Sequence, residues 1–225
     1  PFADQPLSNW ITPEILEAQR QMCGPHTPQE LNMYDNQADP RYPRHLGELR
    51  DMADVKRLFD GYDCGIAYMD SHIGQIFSTL KEKGVWDDLA IIISADHGEN
   101  MGELGIYAEH ATADIATCRI PLIVRWPGGR QGVNTCLHYT LDLFPPLSYL
   151  LHRPPATRWD GRSFSPAIFS RTTGDDRAQD SGRHYLVISQ SAHVCQRSVR
   201  WGSWLYMRTY HCGYHLFPDD MLYNV

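Results

Sequence analysis

The sequence predicts an α/β fold with a small β-rich unit at its carboxyl end. Three observations support this: a long amphipathic helix pattern over residues 52–83, two β-branched apolar runs ("LAIIIS" and "RIPLIVRW"), and short aromatic and β-branched segments after residue 183. Apolar runs without alternation are typical of strands buried on both faces. We therefore expect part of a mostly parallel sheet flanked by helices, followed by a small antiparallel β subdomain.

The long helix is indicated by apolar residues that recur at steps of three and four from Val55 to Leu80. The lysines of "KEKG" favour the negative end of the helix dipole, and Gly84 suits the position just after a helix, so the helix should end there. "TLDLFPPLSYLL" predicts a later helix, whose start is made irregular by Pro145 and Pro146.

Composition divides the chain into three parts. Residues 1–50 are rich in Pro, Asn, Gln and Asp and predict a loop-rich segment packing on the main domain. Residues 51–170 carry the α/β pattern. The polar segment 172–182 is typical of a linker, and residues 183–225 predict the β-rich subdomain, in truncated form. Its aromatic residues form a small core or line a carbohydrate-binding face.

Charge and cysteine content limit the function classes. The 20 Lys and Arg residues are outnumbered by 27 Asp and Glu residues, a net charge of −7, which argues against nucleic acid as a partner. No apolar run is long enough to span a bilayer. Six dispersed cysteines without a CxxC pair favour reduced thiols and a cytoplasmic location, with a periplasmic or secreted one left open.

The stretch "IIISADHGENMGE" contains the strongest candidate site. Asp96 and His97 directly follow an apolar run, and ligands of open α/β sheets bind beyond the carboxyl ends of strands. A carboxylate beside an imidazole can form half of a divalent-metal site, and Gly98 permits a close turn. His110, further along, can return to the same place. The alternative is that Asp96 only stabilises a turn or caps the next helix.

The sequence resembles a known protein family. The segments "GVWDD", "SADHGE", "GELGIY", "RIPLIVRWPG" and "DGRSFSPAI" occur in the order seen in the C-terminal half of type I sulfatases, members of the alkaline phosphatase superfamily. "SVRWGSWLYMRTY" is similar to the small C-terminal sheet of these enzymes. The resemblance covers roughly residues 55–215, and the ordered set of motifs is more specific than any one of them.

The resemblance implies that Asp96 and His97 are ligands of a divalent metal, most often Ca²⁺, with Mn²⁺ and Mg²⁺ open. The family's usual Lys-His pair falls at Glu109 and His110. Because a carboxylate repels a sulfate ester, His110 is expected to contact the ester alone, as the catalytic donor. Glu109 then either binds a cationic or hydroxyl part of the substrate or is a solvated loop carboxylate.

Other family motifs are absent from these 225 residues. There is no CxPxR motif, whose Cys becomes the formylglycine nucleophile, and "GPHTPQE" around His26 lacks the Tyr of the family's PHxPY segment and is treated as a loop. We therefore expect the C-terminal half of a hydrolase of sugar or aryl sulfate esters, with formylglycine in the missing half. By itself this half should be inactive and bind metal weakly or not at all, and its exposed sheet edge could pair two copies.

Two other functions stay open at this point. A histidine at the position of His97 also occurs in relatives that cleave phosphonate monoesters and phosphodiesters. The resemblance therefore also allows phosphoryl transfer by the same architecture. A non-catalytic α/β binding module is the remaining alternative, because the nucleophile motif is not present in the sequence.

Overall fold

The computed structural model describes residues 2–7, 10–31, 41, 46–153, 159–169, 182–192, 194–213 and 215–225. The helices are α1 Pro13–Gln19, α2 Met52–Glu82, α3 Ile115–Cys118, α4 Phe144–Leu150 and α5 Ser165–Phe169. The strands are β1 Ile91–Ser94, β2 Asn100–Met101, β3 Tyr107–Glu109, β4 Leu122–Arg125, β5 Tyr185–Gln190, β6 Cys195–Trp201, β7 Trp204–His211 and β8 Asp220–Asn224. The mixture of helices and sheets confirms the α/β class.

Helix α2 has the predicted bounds because its two ends are capped. The Asp51 carboxylate accepts hydrogen bonds from the backbone N–H groups of Ala53 and Asp54, at 2.8 and 3.0 Å. At the other end, Gly84 has φ +69°, the left-handed conformation that commonly terminates a helix. Within the described residues, no helix is both long and apolar enough to span a membrane.

The expectation of a parallel sheet was wrong. β1 and β4 pair antiparallel, with Ile91 opposite Arg125 and Ser94 opposite Leu122. Parallel pairing needs a crossover that returns the chain to the far end of the sheet. Here residues 95–121 connect β1 to β4 at the same end of the pair, so no such crossover joins these two strands. The other described sheets, β2–β3 and β5–β6–β7–β8, are also antiparallel.

A hydrophobic cluster joins the first fifty residues to the rest of the chain. Its buried members are Ile11, Leu16, Leu31, Leu49, Val55 and Tyr107. Leu58 and Phe59 of α2 pack against it, whereas apolar side chains further along α2, including Tyr62, Ile66 and Met69, are exposed. The polar stretch interpreted as a linker lies outside the described residues from 172 to 181.

Hydrogen bonds join the C-terminal sheet to the loop that follows β3. Gln196 of β6 is fully buried, and its Oε1 accepts a hydrogen bond from the Ala113 N–H at 3.1 Å. Ser198 donates its hydroxyl to the Ala113 carbonyl at 2.6 Å. These bonds fix the position of residues 110–114, which contain the candidate residue His110.

Candidate functional site

The candidate site lies where the chain leaves β1, as the sequence predicts. Asp96 and His97 follow Ser94, and the turn is held by a hydrogen bond from the Gly98 N–H to the Thr117 carbonyl, at 2.7 Å. A Cβ on Gly98 would lie 2.0 Å from the carbonyl oxygen of Ala116. Only glycine therefore fits this close approach between the turn and α3.

His97 and His110 come together, as the sequence analysis expected. Their rings stack with centroids 3.7 Å apart and an angle of 17° between the planes. His110 follows β3 directly, and its carbonyl accepts a hydrogen bond from Gln190 Nε2 of β5 at 2.8 Å. The side chains of His97 and His110 are 40% and 42% exposed, so both rings can be reached from solvent.

Asp96 is placed differently from the two histidines. Its side chain is 89% exposed, and its Oδ2 lies 3.7 Å from His97 Nε2. The other oxygen accepts the His97 N–H at 3.0 Å, and this hydrogen bond lowers the pKa of the Asp96 carboxyl. The Asp96 carboxylate therefore stabilises its own turn, which is the structural role that the sequence also allows. It lies beside the two histidines as well.

Glu109 is buried, not a solvated loop carboxylate. It is 9% exposed, and its two oxygens face two histidines. Oε1 lies 2.8 Å from His110 Nδ1, and Oε2 lies 3.1 Å from His26 Nε2. The carboxylate therefore connects His110 to the segment around His26, for which the sequence predicts only a loop.

His26 is brought to the site by the backbone. Its carbonyl accepts the Tyr107 N–H of β3 at 2.8 Å, and its own φ is +61°. This contact could not be predicted from the sequence, since residues 26 and 109 are far apart in the chain. Glu99 was also missed, although it lies in the same "DHGE" segment three residues after Asp96.

Glu99 completes the group of side chains that could hold a metal. Among the described residues, His97, Glu99 and His110 offer one ligand atom each, and these atoms all lie within 4.8 Å of one another. Burial raises the pKa of the Glu99 carboxyl, and the neighbouring His110 opposes this. The hydrogen bond from His97 Nδ1 to the Gly98 carbonyl raises the pKa of His97.

Two known proteins have sequences similar to that of this chain. Choline-sulfatase of Rhizobium meliloti (strain 1021) is 27% identical over 156 residues, which cover 68% of this chain and 29% of that protein. The multifunctional alkaline phosphatase superfamily protein PehA of Trinickia caryophylli is 29% identical over 140 residues, covering 59% and 26%. The chain therefore spans less than one third of the length of either relative.

Solved structures share the fold. A phosphonate monoester hydrolase from Silicibacter pomeroyi matches with a TM-score of 0.66 and 20% identity, over 99% of this chain and 44% of that one. A 2-O GAG sulfatase matches with a TM-score of 0.63 and 19% identity, over 76% and 36%. The family model for sulfatases matches residues 21–152, which include α2, the Asp-His-Gly-Glu turn and His110. The chain therefore belongs to the sulfatase family.

Proposed function

We propose that these 225 residues form the C-terminal part of a metal-dependent sulfatase, a hydrolase of sulfuric esters of sugars or aryl alcohols. The observation that carries the proposal is the meeting of the Asp-His-Gly-Glu turn with His110, whose ring lies 3.7 Å from that of His97. Both segments lie within the region matched by the sulfatase family. An imidazole beside a polar turn at a strand end is suitably placed to contact an ester group.

His110 is the residue to which we assign direct contact with the ester. Its Nδ1 faces a carboxylate oxygen at 2.8 Å, and a carboxylate can only accept, so Nδ1 carries the hydrogen. This leaves Nε2 directed away from Glu109, and only the imidazolium form of the ring, protonated at both nitrogens, can donate from Nε2 to the ester or its leaving oxygen. We assign Glu109 to positioning His110, because its oxygens are already engaged by His110 and His26.

The calcium ion implied by the family does not fit the described donors alone. Calcium takes six to eight oxygen ligands. The described group offers two imidazole nitrogens and one carboxylate, and Asp96 adds a second carboxylate that is largely exposed. Asp96 and His97 can therefore contribute to a calcium site only if other oxygens complete it, and we assign no chemical step to that ion.

The nucleophile is not among these residues, since the sequence contains no CxPxR motif. We therefore propose that the 225 residues alone do not hydrolyse esters, and that a formylglycine in a longer chain supplies the attacking group. Hydrolysis of phosphonate monoesters is the second candidate, favoured by the fold shared with a phosphonate monoester hydrolase over 99% of this chain.

The test compares the 225-residue chain with a longer protein that contains it. We expect the longer protein to hydrolyse p-nitrophenyl sulfate, the chain alone to be inactive, and His110→Ala in the longer protein to lose about 100-fold or more in kcat/KM. The matched control is His72→Ala, because His72 lies on α2 away from the turn.

Three results would change the proposal. Faster turnover of a phosphonate monoester than of the sulfate would favour the second candidate. No turnover of either ester would favour a non-catalytic binding module. Equal loss in His72→Ala and His110→Ala would show that His110 has no direct role.

A further inference from the structure

We propose that His26 is a positioning residue of the candidate site, which acts through Glu109 to hold the His110 ring in one orientation. The Glu109 carboxylate lies between the two imidazoles: its Oε2 is 3.1 Å from His26 Nε2, and its Oε1 is 2.8 Å from His110 Nδ1. This role rests on the proposed function, in which His110 contacts the ester. It adds to that function a residue from a distant part of the chain.

The carboxylate of Glu109 is engaged at both oxygens. Besides facing the His110 ring, Oε1 accepts a hydrogen bond from the His110 backbone N–H at 2.7 Å. The last torsion of a glutamate side chain has broad minima, so a carboxylate held at one oxygen can still turn. The close contact of Oε2 with His26 limits that rotation. Oε1 therefore stays beside His110 Nδ1, which keeps the ring's hydrogen on that nitrogen and Nε2 directed away from Glu109.

Burial makes the contact with His26 important for this geometry. Glu109 is buried, and the side chain of His26 is only 13% exposed. Within the described ranges, the ion pairs of Glu109 are with His26 and His110, and none is with a lysine or an arginine. A buried carboxylate oxygen that loses its partner is unfavourable. Without the His26 imidazole, the carboxylate would gain by turning towards another donor, and the His110 ring would lose its fixed acceptor.

The backbone at this contact adopts a conformation that residues with a Cβ rarely use. Two of the four described non-glycine residues with positive φ lie here: His26 at +61°, and Ala108, directly before Glu109, at +52°. The left-handed conformation is unfavourable for such residues, and it persists where the surrounding structure fixes it, often at functional sites. The hydrogen bond from the Tyr107 N–H to the His26 carbonyl joins the two segments at 2.8 Å. The unusual backbone therefore coincides with the meeting of His26 and Glu109.

His26 acts on the ester only through its neighbours. Its side chain is largely buried and its Nε2 faces Glu109, whereas the His110 side chain is 42% exposed and can be reached from solvent. A residue that acts only through His110 has no effect once the His110 imidazole is removed. The two residues should therefore be coupled in a double-mutant cycle, whereas a residue that only stabilises the fold would lower activity to the same extent in either background.

The first experiment measures kcat/KM for p-nitrophenyl sulfate in the longer protein. We expect His26→Leu to lower kcat/KM by about 10-fold or more, and His26→Gln to retain most of the activity, because its amide can donate to Oε2 of Glu109. In the His110→Ala background, His26→Leu should cause no further loss. His26→Asn should behave like His26→Leu, since asparagine accepts a positive φ but its side chain is shorter than that of histidine. The control is His72→Leu on α2, which should leave kcat/KM unchanged.

The second experiment requires no turnover. Nitrogen-15 NMR of the 225-residue chain at about pH 8.5, above the ordinary pKa of histidine, reports which ring nitrogen of His110 carries the hydrogen. We expect the Nδ1–H form in the unmutated chain and in His26→Gln, and a shift towards the Nε2–H form in His26→Leu.

Three results would overturn the role of His26. One is an equal loss of kcat/KM from His26→Leu with and without the His110 imidazole, which a purely structural role predicts. Another is an Nδ1–H form of His110 that persists unchanged in His26→Leu. The third is a predominant Nε2–H form in the unmutated chain. Failure of the longer protein to hydrolyse any ester would instead refute the proposed function, and the NMR result would still decide whether His26 orients His110.

Discussion

Replacement of Gly98 by alanine tests whether the turn after β1 depends on close backbone contact. The added Cβ would lie 2.0 Å from the Ala116 carbonyl oxygen, whereas real Cβ contacts are essentially never under 3.0 Å. The turn and α3 must therefore separate by at least about 1 Å, at a cost of about 1 to 3 kcal/mol for overpacking. The same movement strains the 2.7 Å hydrogen bond from Gly98 to Thr117, worth about 1 kcal/mol more.

We therefore expect Gly98→Ala to lower the free energy of unfolding by roughly 2 to 4 kcal/mol, measured by urea denaturation. The matched control is Gly74→Ala on α2, where an added Cβ meets nothing within 4 Å. Because alanine is the better helix former, this control should gain up to about 1 kcal/mol. A change below about 0.5 kcal/mol for Gly98→Ala would refute the close contact on which the site geometry rests.

Three further changes test the packing around the site. Asp142→Asn should lower the free energy of unfolding by about 3 kcal/mol at neutral pH, because the fully buried carboxylate pairs with Arg183 at 2.9 Å. The pKa of Asp142 is held below its ordinary 3.8, so the ion pair stabilises the fold above that pH. As the pH falls below 3.8, the difference in free energy of unfolding between Asp142→Asn and the wild type should become smaller. A difference that grows in acid would contradict the assignment. Gln196→Ala should cost about 1 to 3 kcal/mol by urea denaturation, since it leaves buried groups without partners, and an unchanged midpoint would exclude its clamping role. Leu49→Ala should cost about 2 to 5 kcal/mol in thermal unfolding, whereas Leu216→Ala, at an exposed side chain, should cost almost nothing.

The sequence predicted those parts of the fold that depend on local pattern. The bounds of α2 followed from its apolar spacing and from Gly84, and the hairpin series after residue 183 followed from short β-branched runs and turns. The direction of pairing between β1 and β4 did not follow. A continuous apolar run is compatible with either direction, and here Leu122 and Ile123 are exposed although they resemble core residues.

The candidate site was predictable where its residues adjoin a strand end. Asp96 and His97 follow β1, and His110 was expected to return to them, as it does. The partners of Glu109 were not predictable, because the pairing of His26 with Tyr107 joins distant parts of the chain through backbone groups that carry no sequence signal. This pairing places His26 beside Glu109, whose other carboxylate oxygen lies 2.8 Å from His110 Nδ1.

Helix α2 also has a consequence for the motions of the molecule. It is about 46 Å long, yet among the described residues its contacts with the hydrophobic cluster come from its amino end, namely from Met52, Val55, Leu58 and Phe59. Amide hydrogens there should exchange with deuterium only when the whole cluster unfolds, whereas those beyond Tyr62 should exchange through local fraying, at a lower free energy. One continuous helix should thus show a gradient of protection along its axis, with its most persistent turn beside the same cluster that holds Tyr107 of β3.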